Sequence, residues 1–336
     1  MQRTATPLTS VRFLSQPPLI MKIFITGTSG FIGFHLTKNL LSQGHSVVGI
    51  DNHNDFYDIA LKKYRCSQNN DNNFQFEEIE LNEDLTFLDG QFDVAINLAA
   101  QAGVRAPKKY KEFYESTNIN GFKNFLNFCS RNAIKNIIYA SSSSVYSDDA
   151  AGKFNEEQTK LAPKSAYGYS KMINEEMAHE YAKENNAKLI GLRFFSIYGP
   201  FGRPDMAYYL FTKKIINGEA IYLHNEGKHK RDMTYIDDCI RGILSTIDYL
   251  RNRKSYGNEL LNIGNDNPIK TIDLLKKIEK ELNLKSIVIN KDSKNESNFT
   301  HSDNNKAKKK LNYVPKINID EGLKSFIGWY KNYEKS

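Results

Sequence analysis

The residues with the plainest chemical potential are Tyr167 and Lys171, four apart in "YGYSK". On a helix this spacing places both on one face. A free tyrosine titrates near 10 and is a poor base at neutral pH (about 10 in model peptides). A nearby ammonium, joined by an oxidised cofactor, lowers that value, and the phenolate can then take a proton from an alcohol undergoing oxidation. The plainer reading of YxxxK is a tyrosine packed on a helix beside a solvated lysine. A second feature is "SSSSVY" (141–146), four hydroxyls directly after the apolar run "NIIYA". A simple turn would use Gly, Asn, Asp or Pro more often.

A third feature is Gly27, Gly30 and Gly33, a GxxGxxG between the apolar run "MKIFIT" (21–26) and a stretch of helical spacing. One glycine allows a sharp turn off the strand, another close approach of backbone to a pyrophosphate, and the third close helix–sheet packing. Asp51 closes the next apolar run. Its carboxylate can accept both hydroxyls of a ribose and would repel a 2′-phosphate, which favours NAD. The alternative is a structural turn with a surface aspartate.

The elements that must carry these groups alternate. Strands are expected at 21–26, 45–51, 74–79, 93–98, 136–141 and 188–194, and helices at 34–44, 109–131 and 167–184. Alternation of this kind predicts an α/β fold, a Rossmann-type doubly wound parallel sheet. A strand ending at Ser141 delivers the serines to the carboxyl edge of that sheet, where ligands bind. After about residue 195, Gly and Pro cluster and elements shorten. Helices are expected there at 205–217, 236–251, 271–283, 303–311 and 320–331, with short strands at 221–223, 260–263 and 286–289. The division expected is a dinucleotide-binding domain of 21–195 plus about 236–265, and a smaller mixed α/β substrate-binding domain of about 196–235 plus 266–336.

Composition narrows the class. No run approaches the roughly 18 apolar residues of a membrane helix, so no membrane partner is expected. Cys66, Cys129 and Cys239 lack CxxC or CxxH spacing, which argues against a metal site or disulfide framework and fits a reducing cytoplasm. The net charge of +7 suits either nucleic-acid binding or a lysine-rich surface with a basic pocket for an anion. With no nucleic-acid motif near "KAKKKL" (306–311), the second is adopted. Residues 1–20 have no acid, two arginines and three prolines. They suit either a transit peptide or a disordered extension ahead of Met21, and the extension is favoured because a strand begins at Met21.

The order of glycine loop, strand-end hydroxyls and YxxxK resembles the extended branch of the short-chain dehydrogenase/reductase (NAD-dependent epimerase/dehydratase) family, over about residues 21–331. Within it, the closest likeness is to the UDP-glucuronate 4-epimerases. It rests on "DNHNDFYD" (51–58), "NLAAQAGVR" (97–105), "ASSSSVY" (140–146), "LRFFSIYGPFGRPDMA" (192–207), "GKHKRDMTYIDD" (227–238) and "DEGLKSFIGWY" (320–330).

That resemblance implies roles. Ser142, Tyr167 and Lys171 would be catalytic, with Ser141 structural. Gly27, Gly30, Phe31, Ile32, Gly33, Asp51, Asn52, Glu80, Leu81, Asn97, Ala99, Ala100, Tyr167 and Lys171 would hold NAD. Ser142, Ser143, Ser144, Ser196, Arg203, Arg231, Gln101 and Arg105 would meet a UDP-sugar, Arg203 through a bidentate fork on a carboxylate; Arg105 is equally suited to a structural role. Dehydratases and decarboxylases of the family carry carboxylates where this chain has Ser143 and Ser144. Their absence points to reversible oxidation at C4 through a transient 4-keto sugar. The chain departs from the family pattern at Glu80–Leu81, usually Asp–Leu, at Ser196, usually Thr, and at "SKNE" (293–296), usually QPGD. A homodimer through two helices is implied. Two alternatives stay open: a 4-epimerase of a neutral UDP-hexose, and a non-catalytic NAD-binding protein.

Overall fold

The computed structural model describes residues 20–103, 111–147, 152–158, 161–292 and 299–335. Its strands are β1 (Lys22–Thr26), β2 (Ser46–Asp51), β3 (Phe74–Glu78), β4 (Val94–Asn97), β5 (Asn136–Ser142), β6 (Lys188–Phe194), β7 (Ser196–Tyr198), β8 (Ala220–His224), β9 (Lys230–Tyr235), β10 (Gly257–Ile263), β11 (Pro268–Lys270) and β12 (Ile287–Lys291). Among the described residues, seven of them form one parallel sheet in the order β10-β6-β5-β4-β1-β2-β3. Helices pack on both faces, so the inner strands are apolar on both sides. Phe24, Ile25, Val94, Ala95, Ile96, Ile137 and Ile138 are wholly buried. The order reverses between β1 and β4, and the crevice at such a reversal is where doubly wound sheets bind ligands. The expected fold class therefore holds.

β11-β9-β7 form a small mixed sheet, and β12-β8 a pair. The helices Ile236–Asn252 and Ile319–Tyr333 pack with both parts, and one apolar cluster runs from Ile23 and Leu36 through Tyr208 and Ile236 to Phe326 and Tyr330.

Several elements differ from expectation. The first helix, Phe31–Ser42, begins three residues early, inside the glycine loop. The 109–131 stretch is not one regular helix: between Lys111–Phe113 and Phe122–Arg131 lies a widened, π-type stretch, Tyr114–Gly121. β7, β9 and β11 were not expected. Nor was the helix Ile59–Ser67, started by Asp58, whose carboxylate accepts from Ala60 N–H at 2.8 Å. Its buried face carries Lys62 and Arg65 beside Leu61, so it shows no apolar stripe. Arg105, "SKNE" and residues 1–19 lie outside the described residues. Among those described, no helix is long and apolar enough to cross a membrane.

Candidate functional site

The glycine loop leaves β1 through Gly27, whose φ of +80° is open to glycine at little cost. A Cβ there would come within 2.7 Å of Ala99 N, and a Cβ at Gly33 would overlap the Gly27 carbonyl oxygen. Backbone therefore touches backbone where β1, β4 and the first helix meet. That helix starts at Gly30 with no side-chain cap and no acid in its first turn. Its free N–H groups and dipole leave a cradle for an anion.

Asp51 stands at the end of β2. It accepts from Ser29 N–H (3.1 Å) and His53 N–H (3.0 Å). A carboxylate has about four acceptor positions, so others remain for a ribose. The expected partners around it bond to one another. Asn52 Nδ2 donates to Glu80 Oε1 at 2.7 Å, and Leu81 is buried against Gly121. Thr26 Oγ1 donates to Asn97 Oδ1 (2.6 Å) and accepts from Ala99 N–H (3.2 Å). Phe31 is buried and Ile32 half-buried in the first turn. Cradle, open helix start and carboxylate together fit a dinucleotide.

The groups expected to react sit above, at the end of β5. Tyr167 and Lys171 lie in the helix Ala166–Glu184, started by Ser165, whose hydroxyl accepts from Gly168 N–H at 3.0 Å. A side chain at Gly168 would overlap the Ser144 carbonyl, so the glycine of "YGYSK" lets the helix press onto the serine turn. Lys171 is 1% exposed, and its Nζ has no hydrogen-bond partner among the described residues. Burial lowers its pKa to about 8, against an upward pull from Glu175. Burial raises the Tyr167 phenol; the charge of Arg203 and a hydrogen bond with Ser142 pull it down.

Ser142 accepts from Ser144 N–H at 3.1 Å, closing the turn after β5, and also hydrogen-bonds Tyr167. Ser141 is turned to the other face of β5, where it donates to Glu175 Oε1 at 2.5 Å. Arg193 holds the same carboxylate through Nε (2.8 Å) and Nη2 (2.7 Å). This buried pair anchors the strand end beneath Lys171. Residue types and spacing within "YGYSKMINE" do not reveal it, because Arg193 comes from β6. Asn118, in the widened helix, was also missed. It bonds the Gln101 backbone both ways (2.7 and 3.0 Å) and donates to Ser170 Oγ (2.9 Å).

The outer groups are less uniform. Ser143, Ser144 and Ser196 are half-buried at the sheet edge. Gln101 is 1% exposed and folds back, Nε2 donating to Ala102 O at 3.2 Å. Arg231 lies on β9 with Nη1 donating to Lys230 O. The Arg203 fork, expected to be open for a ligand, is held by Asp205, with Nε at 3.0 Å and Nη2 at 2.6 Å. Its charge still acts on Tyr167 and Tyr57. Two of five N–H donors are thus spoken for, and a ligand must approach from another edge.

The family described as NAD dependent epimerase/dehydratase matches residues 23–264. The chain is 39% identical to Protein CapI of Staphylococcus aureus, covering 94% of this chain and all of that protein. It is 36% identical to UDP-glucuronate 4-epimerase 4 of Arabidopsis thaliana, covering 93% of this chain and 75% of the relative. A solved UDP-glucuronic acid 4-epimerase from Bacillus cereus, in complex with UDP-glucuronic acid and NAD, superposes with a TM-score of 0.87. It is 32% identical and matches 93% of this chain and all of that one.

The buried ammonium has a stability signature. The folded pKa of about 8 lies below lysine's 10.5, so burial is unfavourable at pH 7 and the penalty fades as pH rises from 8 to 10.5. Lys171→Met, in protein stripped of dinucleotide, should raise the unfolding free energy at pH 7 by about 1–3 kcal/mol. Denaturant titrations should find that gain shrinking by pH 10; an equal gain at both pH values contradicts the assignment. Gly33→Ala should force the loop from the Gly27 carbonyl and cut co-purifying dinucleotide at least about tenfold, measured by chromatography of the denatured protein. Wild-type content in that variant contradicts the cradle.

Proposed function

Because this chain belongs to the NAD dependent epimerase/dehydratase family, we propose that it is an NAD-dependent nucleotide-sugar 4-epimerase that interconverts UDP-glucuronate and UDP-galacturonate. The observation that carries this reading is Tyr167, hydrogen-bonded to Ser142, one helical turn from a Lys171 ammonium without a hydrogen-bond partner among the described residues, and within the field of Arg203. The relatives named UDP-glucuronate 4-epimerase and the solved enzyme with UDP-glucuronic acid and NAD support the substrate.

When bound, NAD supplies a reversible two-electron oxidation. It would be held by the Gly27–Gly33 cradle, Asp51 and Lys171. The chain's own groups manage protons and charge. Tyr167 receives the proton of the sugar 4-hydroxyl, and Lys171 stabilises the phenolate. Ser142, fixed by its bond to Ser144 N–H, hydrogen-bonds the same oxygen. Oxidation gives a 4-keto sugar, and inversion follows when that sugar presents its other face before reduction.

With a glucuronate this intermediate is a β-keto acid, prone to lose CO₂. Its carboxylate must be held away from a cleavage geometry. Ser143, Ser144, Ser196 and the unengaged edge of Arg203 are the donors we assign to this. Serines at 143 and 144 supply no acid or base at neutral pH, which favours epimerisation over dehydration. Arg231 would meet the diphosphate. The protein would act in the cytoplasm, in keeping with three free cysteines, and as a homodimer through the helices of 111–131 and Ala166–Glu184, where Tyr169 stands 53% exposed.

Side-by-side turnover of UDP-glucuronate and UDP-glucose tests the substrate. At least a tenfold preference in kcat/KM for the acid is expected, and equal turnover contradicts it. Tyr167→Phe should lower kcat by about 10²–10⁴ with dinucleotide content unchanged; undiminished epimerisation in that variant would remove the mechanism.

A further inference from the structure

Arg65 lies outside the reacting centre, yet it is fully buried. Among the described residues its bonds all go to neutral oxygens: Nε to Phe201 O (3.0 Å), Nη1 to Ser29 O (3.2 Å) and Tyr57 Oη (2.6 Å), Nη2 to Gly202 O (2.9 Å). Burying a guanidinium without a carboxylate is unfavourable, and hydrogen bonds only partly offset it. Ser29 belongs to the dinucleotide cradle, and Phe201 and Gly202 immediately precede Arg203.

The turn that Arg65 grips is itself constrained. Phe201 has φ +58°, a left-handed conformation unfavourable for a bulky residue. Its ring is wedged between Phe34 (4.7 Å between centroids) and Trp329 (5.0 Å). Pro200 O is met at 3.0 Å by Nε2 of His35, which burial holds down to about 4 and hence neutral. Three successive carbonyls, of residues 200, 201 and 202, are thus tied to the first helix and to Arg65. Tyr57, bonded to Arg65, also lies within the field of Arg203.

We propose that Arg65 is a positioning residue that locks the dinucleotide cradle to the Pro200–Gly202 turn and so sets Arg203 against the anionic end of the substrate. This rests on the reading above that Arg203 meets a substrate carboxylate. Recognition of that carboxylate and occupancy of the cradle are thereby coupled through one side chain. Arg65 touches neither reacting group; it acts through Arg203.

The test uses holoenzyme of Arg65→Met, Arg65→Lys, Arg203→Ala and the Arg65→Met/Arg203→Ala double variant. The readouts are kcat and KM for UDP-glucuronate and the Kd of UDP, which lacks the sugar. Arg65→Met should raise the KM at least tenfold and leave the Kd of UDP within twofold. Arg65→Lys, a charge without the fork, should raise it at least threefold and carries the test if the Met variant fails to fold. The double variant should be no worse in KM than Arg203→Ala alone, since both remove one interaction. Additive effects, a lower kcat at unchanged KM, or unchanged KM in both Arg65 variants beside a large effect of Arg203→Ala would overturn the positioning role. Unchanged KM in Arg203→Ala would instead remove the carboxylate reading on which it rests.

Discussion

The site depends on a lysine ammonium buried beside a tyrosine, with no acceptor of its own among the described residues. Desolvation works against that charge, and the fold sustains it through what lies around it. Glu175, one helical turn on, is fixed by Arg193 from the neighbouring strand and by Ser141. Its negative charge offsets part of the lysine's penalty without reaching the Nζ. Removing one partner of such a buried pair commonly costs 3–5 kcal/mol, so the foundation is stiff. The gain is a poised cation at the place where a phenolate and ribose hydroxyls are proposed to stand.

The cradle and the outer turn answer to the same economy of space. Gly27 and Gly33 are close because backbone meets backbone there, and Gly168 because a helix presses on the Ser144 carbonyl. Side chains removed from these contacts free the surface of the crevice for a ligand. The turn before Arg203 is instead filled with aromatic rings and held by two bases of different kinds, half-buried neutral His35 and fully buried charged Arg65. One half of the crevice thus offers open backbone donors, and the other a guanidinium held by Asp205.

Much of this was legible in the sequence, for physical reasons. Buried parallel strands are apolar on both faces, so β1, β2, β4, β5 and β6 stand out as runs. The glycine spacing and the Tyr167–Lys171 spacing are local, and local geometry fixes them. What escaped depends on partners distant in the chain. The helix Ile59–Ser67 buries Lys62 and Arg65 because carbonyls from residues 54, 29, 201 and 202 await them, which no apolar periodicity announces. The π-type stretch around Asn118 follows from bonds to Gln101, Ser170 and Asn174. Ser142 caps its own turn because β5 points its hydroxyl that way, and neighbouring serines in a run cannot be told apart by type. Asp205 follows Arg203 by two residues, close enough to have been suspected of holding the fork.

The central claim is that Lys171 makes Tyr167 the acid–base group. Ultraviolet tyrosinate titration of the holoenzyme, taken as the difference between wild type and Tyr167→Phe, measures it most directly. The account predicts ionisation of Tyr167 at least two pH units below tyrosine's usual value of about 10, and loss of that shift in Lys171→Met. A Tyr167 that stays protonated to pH 10 in the wild-type holoenzyme would contradict it.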